Sequence, residues 1–358
     1  MKKLAGQMVT LILDEYGIDD LLRRISDPFW FQALGCVLGY DWHSSGVTTV
    51  LTRVLKDAIV PEEHGIAVCG GKGRASRQTP VEIENAGGKF GFSDGDIDAL
   101  RRASRMSAKV DNTAVQAGYQ LYHHAFFVAE NRKWAVVQQG MCIQDRTARR
   151  YHWLSENVNS FVVEPHSAMV GDARRESALD MTARESEDCR KVSVDLAKEA
   201  PEKTMLMIAA PAGQKLLDEW FHANVKEPAK KPVKAFLSMP VNINWKAMRN
   251  AYEFQPRNYE ELLALRGIGP AAVRGLALIA ELVYGAKPSW KDPVKYSFAY
   301  GGKDGVPFPV DRKAMDESIQ MLRETIEAAR IGDKEKTWSL QRLRKLVPRE
   351  IDRSDLMC

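Results

Sequence analysis

The sequence predicts an α+β or α/β N-terminal domain with a small sheet, followed by an all-α C-terminal domain. Residues 1 to about 59 have the apolar spacing of helices, and two runs rich in aromatic and branched residues meet at Asn131, as in a β-hairpin. A chain of 358 residues is also long enough for two cores. We place the domains at residues 1–225 and 240–358, joined by a basic linker rich in proline and lysine at 226–239.

The N-terminal elements follow from local patterns, taken in chain order. Ser44 or Ser45 could cap a helix whose apolar residues are Val50, Leu51, Val54 and Leu55. Residues 65–92 are rich in glycine and predict loops with short strands. Ser93 begins a helix that runs to Arg105, because acidic residues fill its first turn, where the helix dipole favours negative charge. The runs YQLYHHAFFVAE and KWAVVQQGM predict the two strands of the hairpin, and the stretches 172–199 and 204–222 predict helices.

Composition and charge exclude several classes of protein. No apolar run is long enough for a membrane-spanning helix, and the five cysteines are too scattered for a disulfide framework or a cysteine zinc site. We identify no signal peptide and expect a cytoplasmic protein. The net charge is only +4, yet residues 226–290 contain ten Lys or Arg and five acidic residues, a local excess of +5. Such an excess indicates a surface that contacts phosphate.

The most specific motif is the segment YEELLALRGIGPAAVRGLALIAELVYG, residues 259–285. A short apolar helix, a tight turn and a second helix beginning at Pro270 are predicted. Glycine in the turn lets backbone N–H groups approach a phosphate, and the second helix adds the positive end of its dipole. The segment resembles the helix–hairpin–helix module of DNA repair proteins, which binds the DNA backbone without reading sequence. The alternative is a helical hairpin used only for packing. The candidate DNA-binding residues here are Arg266, Gly267, Ile268, Gly269 and Arg274.

A second resemblance concerns the segment GVPFPVDRKAMDESIQML, residues 305–322. It is similar to the segment of helix–hairpin–helix DNA glycosylases in which an aspartate stabilises the developing sugar cation, and the matching residue is Asp311. The spacing from the hairpin is about twice that of the glycosylases, and the hairpin holds no lysine at the catalytic position. The position of Asp311 before RKAMDESIQ is fully explained by a role as N-cap of the following helix, and this is the interpretation we favour.

Polar side chains on and near the predicted β-hairpin form the candidate catalytic set. Polar residues on strands that are otherwise apolar need partners or a function. Strand alternation puts Gln120, Tyr122 and His124 on one face with Phe126. Oxygen ligands with some imidazole suit Mg²⁺ or Mn²⁺, which in nucleases activate a water and neutralise the scissile phosphate. The candidate catalytic residues are Lys109, Asp111, Gln120, His124, Gln138 and Glu164, and the candidate metal ligands are Asp111, His124, Glu164 and His166. Satisfied structural groups are the alternative for each of them.

Two further groups of basic residues are expected to contact DNA phosphate. The stretch HGIAVCGGKGR lacks the spacing of a nucleotide-binding P-loop, but a turn of this kind can cradle a phosphate. Its candidates are Lys72, Arg74 and Arg77. A second group has the spacing i, i+3 and i+4, which on a helix shares one face. It consists of Arg146, Arg149 and Arg150. A solvated surface is the alternative for both groups.

Most of the chain resembles a prokaryotic domain-of-unknown-function family, number seven-six-three. The strings that carry the resemblance are HGIAVCGGKGRASRQTP, SRMSAKVDNTAVQAGYQLYHHAFFV, FVVEPHSAM and GGKDGVPFPVDRK. The resemblance implies a role in DNA processing. We therefore expect a metal-dependent DNA nuclease of repair or recombination, using Mg or Mn, that acts on duplex, branched or single-stranded DNA and could form a homodimer. The alternatives are a glycosylase or lyase centred on Asp311 and a DNA-binding module without enzymatic activity.

Overall fold

The computed structural model describes residues 1–40, 45–208, 239–240, 242–298, 312–329 and 332–344. The α-helices in these ranges are α1 (Lys2–Ser26), α2 (Pro28–Val37), α3 (Val47–Ala58), α4 (Pro61–His64), α5 (Thr79–Phe90), α6 (Asp94–Thr113), α7 (Glu187–Ala197), α8 (Pro201–Ile208), α9 (Trp245–Phe254), α10 (Tyr259–Ala264), α11 (Pro270–Tyr284), α12 (Arg312–Ala328) and α13 (Asp333–Arg344). The strands are β1 (Ile66–Lys72), β2 (Val115–Gln116), β3 (Gln120–Ala129), β4 (Trp134–Cys142), β5 (Thr147–Leu154), β6 (Ala168–Gly171) and β7 (Leu179–Asp180).

Five strands form one antiparallel sheet in the order β1-β3-β4-β5-β6, and β2 pairs with β7 separately. The predicted hairpin is confirmed: β3 and β4 pair directly around the turn at Asn131 and Arg132. Because neighbouring strands within the sheet run antiparallel, the N-terminal half belongs to the α+β class. The C-terminal elements in the described ranges are helical, which agrees with the expected all-α region.

Helices cover both faces of the five-stranded sheet. On one face, Phe127 and Val137 belong to a core with residues of α1, α2, α3, α12 and α13. On the other face, Phe126 and Val136 belong to a core with residues of α5, α6, α7, α9, α10 and α11. The alternation of neighbouring residues between the two cores is what a strand buried on both sides requires. Residues on either side of the predicted linker therefore share both cores, while most of the linker itself, 226–239, lies outside the described residues.

Helix α6 confirms and extends the helix predicted from Ser93. The Ser93 side chain accepts a hydrogen bond from the backbone N–H of Asp96, and the Asp96 carboxylate accepts one from the backbone N–H of Ser93. This reciprocal capping fixes where the helix begins. The helix continues beyond Arg105 to Thr113, so it carries Lys109 and Asp111.

Three other predicted elements are corrected. Residues 79–90 form α5, although glycine suggested loops, because Pro80 occupies the first turn and Ile83 and Ala86 pack into the core. Gly46 is the N-cap of α3, with no side-chain cap. The stretch 172–199 is helical only over α7, since Leu179–Asp180 pairs with β2. Residues 209–222 of the other predicted helix lie outside the described ranges.

Candidate nucleic-acid interface and a buried polar network

The predicted helical hairpin is present as α10, a turn over residues 265–269, and α11. Asn258 caps α10 by accepting a hydrogen bond from the backbone N–H of Glu261, and α11 ends at Gly285, which has a left-handed φ of 70°. Ile268 is fully buried between the helices. The helices and the turn therefore form as the sequence predicted.

The two glycines of the turn have different roles. Gly267 has a φ of 90°, and a Cβ on it would lie 2.8 Å from the Cβ of Ala247. It is needed for packing and for backbone conformation. Gly269 has an extended backbone with φ −120°, and among the described residues a Cβ there would meet only the Gly267 carbonyl oxygen, at 4.0 Å. Nothing in the fold itself requires glycine at 269, so its open surface is available to another molecule.

Lys109 reaches the turn from α6. Its Nζ donates a hydrogen bond to the carbonyl oxygen of Leu265 at 3.3 Å. Partial burial lowers the pKa of Lys109, because desolvation disfavours the charged form. Within the described part of the chain no carboxylate lies within ion-pair distance of it, and no hydrogen bond reaches the backbone N–H of Gly267 or Gly269. A partly desolvated ammonium thus contacts the turn whose two glycines have N–H groups without a partner in the described ranges, and the turn leads into the N-terminus of α11, a combination that favours an anion.

The other side of the turn carries two arginines. Arg266 is exposed and has no carboxylate partner in the described ranges. Arg274, in α11, donates to Gln116 Oε1 at 3.2 Å, while Gln116 Nε2 donates to the carbonyl oxygen of Pro270 at 2.9 Å. Burial lowers the pKa of Arg274. Gln116 therefore holds Arg274 beside the first turn of α11.

Asp111 is the centre of a buried hydrogen-bond network on the α6 face of the sheet. Its side chain is fully buried and accepts three hydrogen bonds. One comes from Trp153 Nε1 at 3.0 Å, a second from Gln138 Nε2 and a third from His166 Nε2. Three of the residues predicted to act together with Asp111 are thus in one network. Gln138 and His166 contact Asp111 directly, and His124 is joined to it through Gln138.

The network fixes the tautomer of His124. Because Gln138 donates its amide N–H to a carboxylate, its Oε1 must face His124, and His124 Nδ1, 2.8 Å away, must carry the proton. Nε2 then accepts from the hydroxyl of Ser104 at 2.9 Å. Burial lowers the pKa of His124 and keeps the ring neutral. Each of these side chains has a partner, which is the arrangement expected of a structural network.

The residues at Asp111 do not fit a Mg²⁺ or Mn²⁺ site. Both carboxylate oxygens already accept N–H donors. Glu164, predicted as a ligand and catalyst, has an exposed side chain that pairs with Arg184 at 2.7 Å, and Gln120 is exposed at the start of β3. In the described residues no group of three or more His, Cys, Asp or Glu side chains is placed to hold a metal. The predicted four-ligand set is therefore not assembled.

The strand faces of the hairpin differ from simple alternation. A β-bulge between Leu121 and His123 shifts the register, and Gln139 Nε2 donates to the Tyr122 hydroxyl at 2.6 Å. Tyr122 thus joins Gln139 and His123 rather than His124. His123 lies on the α3 side, where its Nε2 is 3.0 Å from the Thr52 hydroxyl.

Two predicted DNA-binding arginines are buried in strand β5. Arg149 pairs with Asp292 at 2.6 Å, both side chains being fully buried, and its guanidinium stacks on Tyr119. Arg150 donates to Gln32 and His152 on the opposite face. Arg146 lies in the preceding turn with a φ of 58°. The helical spacing was misleading, because in a strand neighbouring residues point to opposite faces, so the three do not form one surface.

The basic residues of the glycine-rich segment are exposed, as predicted. Lys72 ends β1, and Arg74 and Arg77 lie in a 3-10 turn, Gly73–Gln78, that leads into α5. Two exposed basic residues of α6 were not among the candidates identified from the sequence, namely Arg102 and Arg105. Their spacing to Lys109 places them on the Lys109 side of the helix, which is the pattern that could have identified them.

Comparison with known proteins gives one match. The family model described as "Protein of unknown function (DUF763)" matches residues 1–310 of the 358. No curated protein and no solved structure matches the chain. No helix among the described residues is long and apolar enough to cross a membrane. Asp311, the candidate of the glycosylase hypothesis, lies outside the described residues.

Proposed function

Because this chain belongs to the family of proteins of unknown function DUF763, whose description carries no activity, we propose a function from the geometry: it binds the phosphate backbone of DNA through the α10–α11 hairpin. The binding surface consists of Lys109, Arg266, Gly267, Gly269 and Arg274. Such contacts position a nucleic acid without reading its sequence.

The observation that supports the proposal is the environment of the Lys109 ammonium. The ammonium is partly desolvated, and its one hydrogen bond within the described ranges goes to a carbonyl oxygen of the turn that leads into α11. A charged group removed from water is stabilised by an opposite charge. A phosphate oxygen at Gly269 would supply that charge and would also accept the free backbone N–H groups.

The nuclease activity expected from the sequence has no such support. In the described structure both carboxylate oxygens of Asp111 accept hydrogen bonds from N–H donors, three in all, so the carboxylate is not available to bind a metal ion or activate a water. A denaturing gel of end-labelled DNA incubated with Mg²⁺, Mn²⁺ or EDTA tests that hypothesis independently. Cleavage that requires metal would add an activity to the proposed binding function, and its absence would leave the binding function unchanged.

Fluorescence anisotropy with a labelled 20-bp duplex tests the proposal. Lys109→Gln removes the ammonium, and we expect affinity to fall about tenfold to a hundredfold, since a hydrogen bond between charged groups contributes roughly 1.5–3 kcal/mol. Gly269→Ala suits the extended backbone at 269 and blocks close approach of a phosphate. We expect it to weaken binding and to leave the thermal unfolding temperature unchanged.

The matched control is Arg53→Gln on α3. Arg53 is 71% exposed, pairs with no carboxylate but Asp57 in the described ranges, and lies on a helix that packs against the other face of the sheet. We expect wild-type affinity from it. Equal affinity of wild type, Lys109→Gln and Gly269→Ala would refute the proposal, and so would a dependence of binding on duplex sequence comparable to its dependence on these residues.

A further inference from the structure

A groove lined by arginine lies on α6, beside the hairpin. Its volume is about 660 Å³, and it is lined by Pro80, Asp98, Ala99, Arg101, Arg102 and Arg105. We call this surface the α6 groove. Three of its six lining residues are arginines, so the groove suits an anion, and its volume is large enough for one much larger than a water molecule.

The α6 groove is continuous with the proposed phosphate-binding turn. Arg102 pairs with Glu260 of α10, and about two helical turns further along α6, Lys109 contacts Leu265. At the opposite end, Arg101 Nε donates to the carbonyl oxygen of Pro80 at 3.2 Å. Pro80 lies two residues after Gln78, the last residue of the 3-10 turn that carries Arg74 and Arg77. One basic surface therefore runs from the glycine-rich segment along α6 to the hairpin.

Part of this charge is not neutralised within the chain. Arg101 pairs with Glu84 and with Asp98, and Arg102 pairs with Glu260. By contrast, Arg74, Arg77 and Arg105 are exposed and have no carboxylate within ion-pair distance in the described ranges. Of these three cations, Arg105 lines the groove itself, and Arg74 and Arg77 precede Pro80 at its edge.

We propose that the α6 groove continues the hairpin's phosphate-binding surface and holds several consecutive phosphates of one strand of a DNA duplex. This inference rests on the proposed function and extends it. From Arg101 to Lys109 the helix rises about 12 Å, at 1.5 Å per residue. One strand of B-DNA carries a phosphate about every 3.4 Å along the axis, so this length matches about three or four phosphates.

The lining of the groove favours a duplex over a single strand. Proteins that follow single strands combine a basic groove with aromatic rings on which the bases stack. The residues that line the α6 groove contain no aromatic ring. Backbone charge is therefore what this surface can recognise, and a duplex presents it in a regular array.

The salt dependence of binding tests the inference. For a duplex, each phosphate contact contributes about 0.9 to the slope of log affinity against log salt. We expect Arg105→Gln and Arg77→Gln each to reduce the slope by about 0.9 on a 20-bp duplex. Arg53→Gln is again the control, and both substituted arginines are exposed, so circular dichroism should be unchanged.

The outcomes separate the inference from the proposed function. If Lys109→Gln weakens binding while Arg105→Gln and Arg77→Gln leave the slope unchanged, the groove inference is wrong and the hairpin function stands. If the Lys109 variant is also without effect, both fail. Tighter binding of single-stranded DNA than of the duplex would overturn the assignment of a duplex to the groove.

Discussion

Acidification should destabilise this fold through its buried histidines, and His123 allows the effect to be calculated. Burial lowers the pKa of His123 to about 3, with further lowering by electrostatic interaction with His124 and Lys72. In the unfolded chain a histidine titrates near 6.5. Between these two values the unfolded state binds one more proton than the folded state, so stability falls as pH falls through this window.

The size of the loss follows from the two pKa values. At pH 5 the unfolded histidine is almost fully protonated while the folded one is neutral. The free energy of unfolding is then lower than at pH 7 by about 2 kcal/mol from this one residue, using 1.36 kcal/mol for each pH unit below 6.5. His124 and His152 act in the same direction, because burial lowers the pKa of both.

The substitution His123→Gln isolates this contribution. Urea unfolding followed by tryptophan fluorescence, at pH 7 and pH 5, gives the change in unfolding free energy for each protein. Other titrating groups are common to wild type and variant, so the difference between the two changes reports His123 alone. We expect the variant to lose about 2 kcal/mol less than wild type. Equal losses would refute the assignment of His123 as a neutral buried ring.

Three further predictions concern a buried carboxylate, a buried ion pair and the glycines of the hairpin turn. Asp111→Ala leaves three N–H donors without an acceptor, and we expect a loss of at least about 3 kcal/mol in urea unfolding, which a loss below about 1 kcal/mol would contradict. Arg149→Met leaves Asp292 buried and unpaired at a cost of about 3–5 kcal/mol, and adding Asp292→Asn should recover part of it; additive losses would show that the pair is not coupled. Gly267→Ala should lower the thermal unfolding temperature while Gly269→Ala should not, because only Gly267 combines a positive φ with a crowded Cβ position. Equal melting temperatures for the two variants would contradict this packing role.

The parts of the fold that local patterns specify were predictable. The reciprocal cap at Ser93, the β3–β4 hairpin and the α10–α11 turn each depend on residues a few positions apart. The location of Arg149 and Arg150 was not, because three arginines at helical spacing carry no information about a neighbouring strand. Only pairing of β5 with β4 and β6 places them in the interior.

The candidate site was predictable in part for a similar reason. Asp111, His124, Gln138 and His166 were expected together because polar residues on buried strands need partners, and the structure joins them in one network. Trp153 and Ser104 come from other elements and supply the remaining hydrogen bonds of Asp111 and His124. Sequence spacing identifies polar residues, but only the assembled fold shows whether a bond remains open.

The register between strands β3 and β4 is fixed by two adjacent polar pairs, His123–His124 and Gln138–Gln139. In the correct alignment His123 faces Gln139 and His124 faces Gln138, each histidine meeting its own hydroxyl on its own face of the sheet. A shift by one residue would send every one of these side chains to the wrong layer of helices. Both polar clusters would break at once, while many apolar neighbours would still find apolar surroundings on either face. Polar residues thus give this two-sided sheet a single alignment that its hydrophobic residues alone would not select.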